Sequence, residues 1–209
     1  METIFYKDDY NRICQRLQPE LEKLKINLYC YEKLVAFLIV GEDHRYYKHL
    51  GFDIVGICRA IYRNAFQGKR EGASTIEQQL VRVLTEDYRY NIRRKIKEIF
   101  LATKLKRFAD KYTLAAVYLD IANYGTDMSG LASVLNRFGV SLQQEIDDEI
   151  CAEVIARLKY PEPRRYNAAR MAQIEQRKKQ ESGGQELPYT HYTPINTIYS
   201  LMNRYLNVA

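Results

Sequence analysis

Apolar residues recur at helical spacing along nearly the whole chain, and alternating runs of the strand type are almost absent. Helices are predicted over about residues 10–24 and 31–40, the second ending in the continuous apolar run 34–40. Ile92, Ile96, Ile99, Phe100 and Leu105 trace one apolar face of a helix over about 91–108, and residues 111–122 and 144–158 give two more. Thr75-x-x-Gln78 and Ser141-x-x-Gln144 read as capping boxes that open helices. Tyr124-Gly125 reads as a helix end, with Gly125 in the left-handed position just past it. Segment 52–70 sets Ile54, Val55, Ile57, Ile61 and Phe66 beside Arg59, Arg63, Lys69 and Arg70. That pattern suits a core helix and a helix lying on a membrane surface equally. The fold class expected is all-α, with residues 1–180 as the main domain (core about 35–180). The linker-like stretch 180–185 would set off a C-terminal helical appendix, 181–209.

At 209 residues the chain is long enough for one domain with a sizeable core. No run of 18 apolar residues is present, and the N-terminus lacks the basic-then-apolar layout of a signal peptide. The net charge of +6 admits nucleic acid, anionic lipid or a phosphorylated substrate as partner. Lys and Arg are spread over the whole chain without a nucleic-acid signature, so no nucleic acid partner is expected. The four cysteines are widely spaced with no CxxC pair, which argues against zinc. Cys58 and Cys151 are expected to act as small core residues, and free thiols fit a reducing compartment.

The densest chemistry lies at 42–51. Glu42-Asp43 follows the apolar run directly, and His44, Arg45, Tyr46, Tyr47, Lys48 and His49 crowd in before Leu50-Gly51. A solvated loop is richer in Gly, Ser, Asn and Pro, and a core helix does not tolerate this density of charge. Glu42 is therefore a candidate base at a partly desolvated helix end; a local cap or ion pair with Arg45 or Lys48 is the plainer reading. Gly72-Ala73-Ser74-Thr75 leads into a helix whose first-turn amides are able to receive an anion. Arg94, Lys95 and Glu98 share one helix face, a mixed cation–carboxylate group suited to pyrophosphate.

In this order the three blocks resemble the glycosyltransferase domain of the family-51 peptidoglycan polymerases, which occurs in class A penicillin-binding proteins and monofunctional transglycosylases. The first motif, E-D-x-x-F-[FY]-x-H-x-G, is matched with Tyr46 in place of Phe. The second, G-x-S-T-I-x-Q-Q-x-x-K-N, is matched through Gln79, with Arg82 and Val83 where Lys and Asn are usual; R-K-x-x-E is intact. A looser fourth motif surrounds Tyr118-Leu119-Asp120, where the family has Asn for Asp120, and residues 159–167 resemble its Pro-rich exit segment.

The resemblance, covering about 35–180, implies a lysozyme-like, two-lobed helical domain with a substrate groove. It implies Glu42 and Glu98 as catalytic residues, Glu42 taking the proton of the acceptor hydroxyl. Asp43, Ser74, Thr75, Gln78, Gln79, Arg82, Arg94 and Lys95 would contact substrate, and Glu98 would hold a divalent cation, Mg or Mn. His49, Gly51 and Gly72 would be structural members of the motifs. The implied activity is polymerisation of lipid II into β-1,4 glycan with release of undecaprenyl pyrophosphate. The implied partners are lipid II, the growing glycan, a membrane surface touched peripherally and other wall-synthesis proteins. The implied place is the outer face of the cytoplasmic membrane, although no anchor is encoded, which leaves a cytoplasmic location open.

Three other readings stand beside this one. A lysozyme-like glycan-cleaving enzyme would use Glu42 as acid, but the Arg94-Lys95 pair has no task there. A non-catalytic module binding lipid-linked wall precursors and a polymerase of another polyprenyl-pyrophosphate sugar are both compatible with the residues.

Overall fold

The computed structural model describes residues 6–24, 28–68 and 72–182, which fold as a helical domain with one small hairpin. Helix α1 (Lys7–Leu24) turns Ile13, Leu17, Leu21 and Leu24 inward, three or four residues apart. Helices α2 (Glu32–Glu42) and α6 (Lys111–Ile121) are apolar nearly all round and form the centre. Leu34, Val35, Phe37, Leu38 and Ile39 of α2 are buried, as is every residue from Leu114 to Leu119 of α6. Helix α4 (Ile76–Thr85) packs on α1 and α6, and α5 (Ile92–Ala102) packs on α4. On the other side α8 (Asp148–Lys159) covers α2, and α9 (Ala168–Ser182) lies along α8 and touches α2. Among the described residues no helix is long and apolar enough to cross a membrane.

Polar caps fix the ends that matter. Thr75 Oγ1 accepts from the Gln78 amide at the start of α4. At its far end Arg12 Nη1 and Arg16 Nη1 of α1 donate to the carbonyls of Thr85 (2.9 Å) and Leu84 (3.2 Å). Those are last-turn carbonyls that lack a partner within the helix.

Several expectations are corrected. Helix α6 ends at Ile121, and Gly125 belongs to strand β1 (Asn123–Gly125), which pairs antiparallel with β2 (Met128–Ser129). Its φ of +146° and the neighbouring chain explain the glycine, because a Cβ would lie 2.6 Å from the Glu162 carbonyl oxygen. Gln144 Oε1 does accept from the Ser141 amide, but within a turn; the helix starts later, after Asp147. The helix expected over 91–108 breaks at Ala102 and resumes as a short 3₁₀ turn, Leu105–Arg107. Residues 180–182 continue α9 rather than forming a linker, and residues from 183 on lie outside the described part.

Helix α3 (Ile54–Phe66) is not a core helix. It buries only Gly56 and Ala60, and Phe66 is 77% exposed. Cys58 is exposed with it, contrary to expectation, whereas Cys151 is buried. The short helix α7 (Leu131–Arg137) closes the hairpin against α6.

Candidate active site

Glu42 is the last residue of α2, with its side chain 12% exposed. Its Oε2 accepts from Gln79 Nε2 at 3.0 Å, and Gln79 Oε1 in turn accepts from the Tyr118 hydroxyl at 2.7 Å. Burial and the Glu42 charge both push the Tyr118 phenol above its ordinary range, so it stays a donor. Tyr118 thus fixes which end of the Gln79 amide faces Glu42. The other oxygen, Glu42 Oε1, is buried without a hydrogen-bond partner. A carboxylate held by one oxygen and open at the other is suited to accepting a proton.

The rest of the first motif builds the support. Asp43, expected to contact substrate, faces inward: its oxygens lie 3.0 and 3.1 Å from His49 Nε2, and Oδ2 accepts from the Ile76 amide at 3.2 Å. It therefore ties the end of α2 to the N-terminus of α4, where a negative charge is favoured. Gly51 has φ +97°, and a Cβ there would lie 2.8 Å from the backbone of Ala102. Its carbonyl accepts from Thr75 Oγ1 (2.8 Å) and Gln78 Nε2 (3.2 Å), so Thr75 and Gln78 are buried framework. Gly72, by contrast, is exposed and has open space where a Cβ would go.

Helix α4 carries Gln79 and Arg82 three residues apart, which joins Glu42 to the third motif on α5. Glu98 is buried between two guanidinium groups. Arg82 Nη2 donates to its Oε1 at 2.7 Å, and Arg94 Nη1 lies 3.1 Å from Oε2. Both arginines keep a buried Nε–H that no acceptor meets. Lys95 Nζ donates to Ser74 Oγ at 2.9 Å and to Gln78 Oε1, and burial pushes its ammonium below the ordinary lysine range. Three cations around one carboxylate leave a net positive site with unused donors, which is the charge pattern of an anion site.

The same count decides the fit of a divalent cation. Glu98 offers a single carboxylate already flanked by Arg82 and Arg94, so it does not make a cation site by itself. A group with metal-ligand spacing among the described residues is Asp43, His49 and Glu77, with atoms within 4.8 Å of one another. There the Lys111 ammonium pairs with Glu77, and the Ile76 amide already bonds Asp43. Sequence reasoning missed this Glu77–Lys111 pair, whose ammonium also lies 4.0 Å from the Tyr46 ring centre. It also missed Arg177 and Glu181 of α9 beside Glu42. An acid in the first turn of α4 was the only signal for Glu77, and none marked α9.

Comparison with known proteins agrees with this geometry. Residues 15–182 match the family model described as Transglycosylase. The chain is 38% identical over 104 residues to a monofunctional glycosyltransferase of Staphylococcus saprophyticus, covering 49% of this chain and 38% of that protein. It is 36% identical over 107 residues to the Staphylococcus haemolyticus protein of the same name, covering 51% of this chain and 40% of that one. It is 33% identical over 137 residues to penicillin-binding protein 1A of Vibrio cholerae, which covers 64% of this chain and 16% of that protein. The chain therefore spans well under half the length of these relatives. With most of its length matched, and Glu42, Gln79, Arg82, Arg94 and Glu98 gathered on three neighbouring helices, the chain belongs to the transglycosylase family and has its all-α, lysozyme-like fold.

Proposed function

We propose that this chain is a peptidoglycan glycosyltransferase that polymerises lipid II into β-1,4 glycan chains and releases undecaprenyl pyrophosphate. The observation that carries the reading is Glu42 Oε1, buried and unbonded, connected through Gln79 on α4 to the Arg82–Glu98–Arg94 cluster. The acceptor 4-hydroxyl loses its proton to Glu42 as its oxygen attacks C1 of the donor sugar. The C1–O bond to pyrophosphate breaks on the opposite face, inverting the carbon. Charge growing on the leaving group meets Lys95 and the two arginines, Arg82 and Arg94, whose free Nε donors are already desolvated. Glu98 holds the two arginines in place, so its catalytic part is to aim them. Ser74 accepts from Lys95 beside that group. A Mg or Mn ion bound with the substrate would add positive charge against the leaving group, and Glu98, flanked by Arg82 and Arg94, would not hold it alone.

Helix α3 supports a peripheral place at the membrane, outer face by family resemblance. Ile54, Val55, Ile61, Tyr62 and Phe66 are all more than half exposed on it, an apolar face that water does not favour. A lipid-linked donor and acceptor would then be delivered from the same surface. Other wall-synthesis proteins are the further partners this reading implies.

The test is polymerisation of labelled lipid II in detergent with Mg or Mn, comparing the wild type with Glu42→Gln. Chains from the wild type and a loss of roughly a thousandfold or more in the variant are expected. Precursor bound but never polymerised by the wild type would sink the enzyme reading in favour of a binding module. Neither binding nor turnover would shift the substrate to another polyprenyl-pyrophosphate sugar.

A further inference from the structure

The end of α9 adds a charged pair beside Glu42 that the motifs do not account for. Arg177 and Glu181 lie four apart on one face of that helix. Lys178 holds α9 to α8 through Glu149 at 2.7 Å and Glu153 at 3.0 Å. The helix approaches the last turn of α2 so closely that a Cβ on Gly41 would lie 2.8 Å from Glu181 Oε1 and 2.9 Å from Ile155 Cγ2. Arg177 Nη2 donates to the Gly41 carbonyl, and Arg177 Nε lies 2.9 Å from Glu181 Oε1. The same Nη2 lies 3.6 Å from Glu42 Oε1, too long for a hydrogen bond and close enough for charge pairing. The guanidinium is thus anchored on the backbone just before Glu42 and on a second carboxylate. It faces the basic oxygen of Glu42 without occupying the lone pair that proton transfer needs.

We infer that Arg177 is the positioning residue of Glu42, one guanidinium shared between the reacting carboxylate and the buried carboxylate of Glu181. The inference rests on Glu42 being the base. Without Arg177, Glu42 hangs by a single bond to Gln79 at a helix end, and its open oxygen is free to swing from the acceptor. A misplacement of about 1 Å at a reacting atom costs on the order of a hundredfold in rate. Glu181 reports on the arrangement. Burial pushes its carboxyl above the ordinary range; Arg177 opposes that, Glu42 adds to it, and Lys159 on α8 opposes it.

Two measurements on the full chain test this. In lipid II polymerisation, Arg177→Met should lower kcat roughly ten- to hundredfold with KM within about twofold, and Arg177→Lys should recover much of the loss. Wild-type kcat in Arg177→Met, or a loss that Arg177→Lys does not relieve, overturns the proposal. Independently of turnover, the Glu181 carboxyl is followed by ¹³C NMR with its signal assigned through Glu181→Gln. Its titration should move to higher pH in Arg177→Met and to lower pH in Glu42→Gln. A Glu181 titration that is the same in all three proteins overturns the shared-guanidinium arrangement. If Glu42→Gln instead polymerises as fast as the wild type, the base assignment fails, and the NMR arm still decides whether Arg177 links the two carboxylates.

Discussion

Helices α3 and α4 start alike and end in opposite environments. Each opens on a side-chain cap, Asp53 accepting from the Val55 amide and Thr75 from that of Gln78, and each has apolar residues at helical spacing. Helix α4 buries Ile76, Leu80, Val81 and Leu84, together with the polar Glu77, Gln78 and Thr85. Helix α3 leaves Ile54, Val55, Ile61, Tyr62 and Phe66 in solvent and has only marginal contact with the other helices. Apolar periodicity therefore states that a helix has a face to cover and not what covers it. The inward-facing polar groups carry the information at α4: buried Thr75 and Gln78 with half-buried Gln79 and Arg82 hold Gly51, Lys95, Glu42 and Glu98 in one frame.

The contrast is sharpest in stability. Leu80→Ala should cost about 2–5 kcal/mol, because Leu80 is fully buried and its removal leaves a cavity. Ile61→Ala should stay within about 0.5 kcal/mol. Chemical denaturation of both variants checks this, and equal losses would mean that α3 packs as a core helix in solution. Next in size is membrane contact. Ile61→Ser with Phe66→Ser should weaken binding to anionic-lipid vesicles roughly ten- to a hundredfold, about 1.4–2.8 kcal/mol for the pair, because a helix lying in the interface buries each side chain only in part. Vesicle co-sedimentation unchanged by the pair would remove α3 from the membrane reading.

The smallest effect expected is at Asp120, on the buried α6. Its Oδ1 accepts from the Tyr31 hydroxyl at 3.0 Å, and burial raises its carboxyl above the ordinary aspartate value. A carboxyl raised in the folded state favours folding most when protonated, and that contribution is lost as pH rises through the folded value. Asp120→Asn keeps the acceptor for Tyr31 and removes the buried charge. It should raise the unfolding midpoint by about 2–4 °C near neutral pH, equivalent to about 1 kcal/mol. The gain should vanish below the ordinary aspartate value, where both side chains are neutral. Thermal melts across that range check the sign; a gain that persists at low pH would assign it to packing.

Part of the site follows from spacing and part from the family resemblance. Glu42 and the Arg94, Lys95 and Glu98 group stand out in the chain itself, Gln79 and Arg82 enter through the resemblance, and the structure brings them onto the end of α2 and the facing sides of α4 and α5. What spacing did not reveal was which of the polar residues face inward. Asp43, Thr75 and Gln78 look like substrate contacts in a sequence, yet each is satisfied within the protein because backbone amides and carbonyls must be paired when buried. The stripe Ile92, Ile96 and Phe100 shows the reverse case. It faces solvent, while Lys97 and Glu98 on the same helix are buried against ionic partners.

The order of residues by itself determined most of the central helices, the Thr75 cap and the local pairs that need three- or four-residue spacing, such as Arg94 with Glu98. These depend on backbone dihedrals and on neighbours within one turn, which the chain specifies directly. Only the tertiary structure decided that Gly125 sits against Glu162, that Lys111 neutralises Glu77, and that Arg177 and Glu181 reach Glu42 from a helix some 135 residues away. Such contacts depend on how close two helices or chains approach. That closeness is set by the whole core, down to the missing side chain of Gly41, and is written in no single stretch.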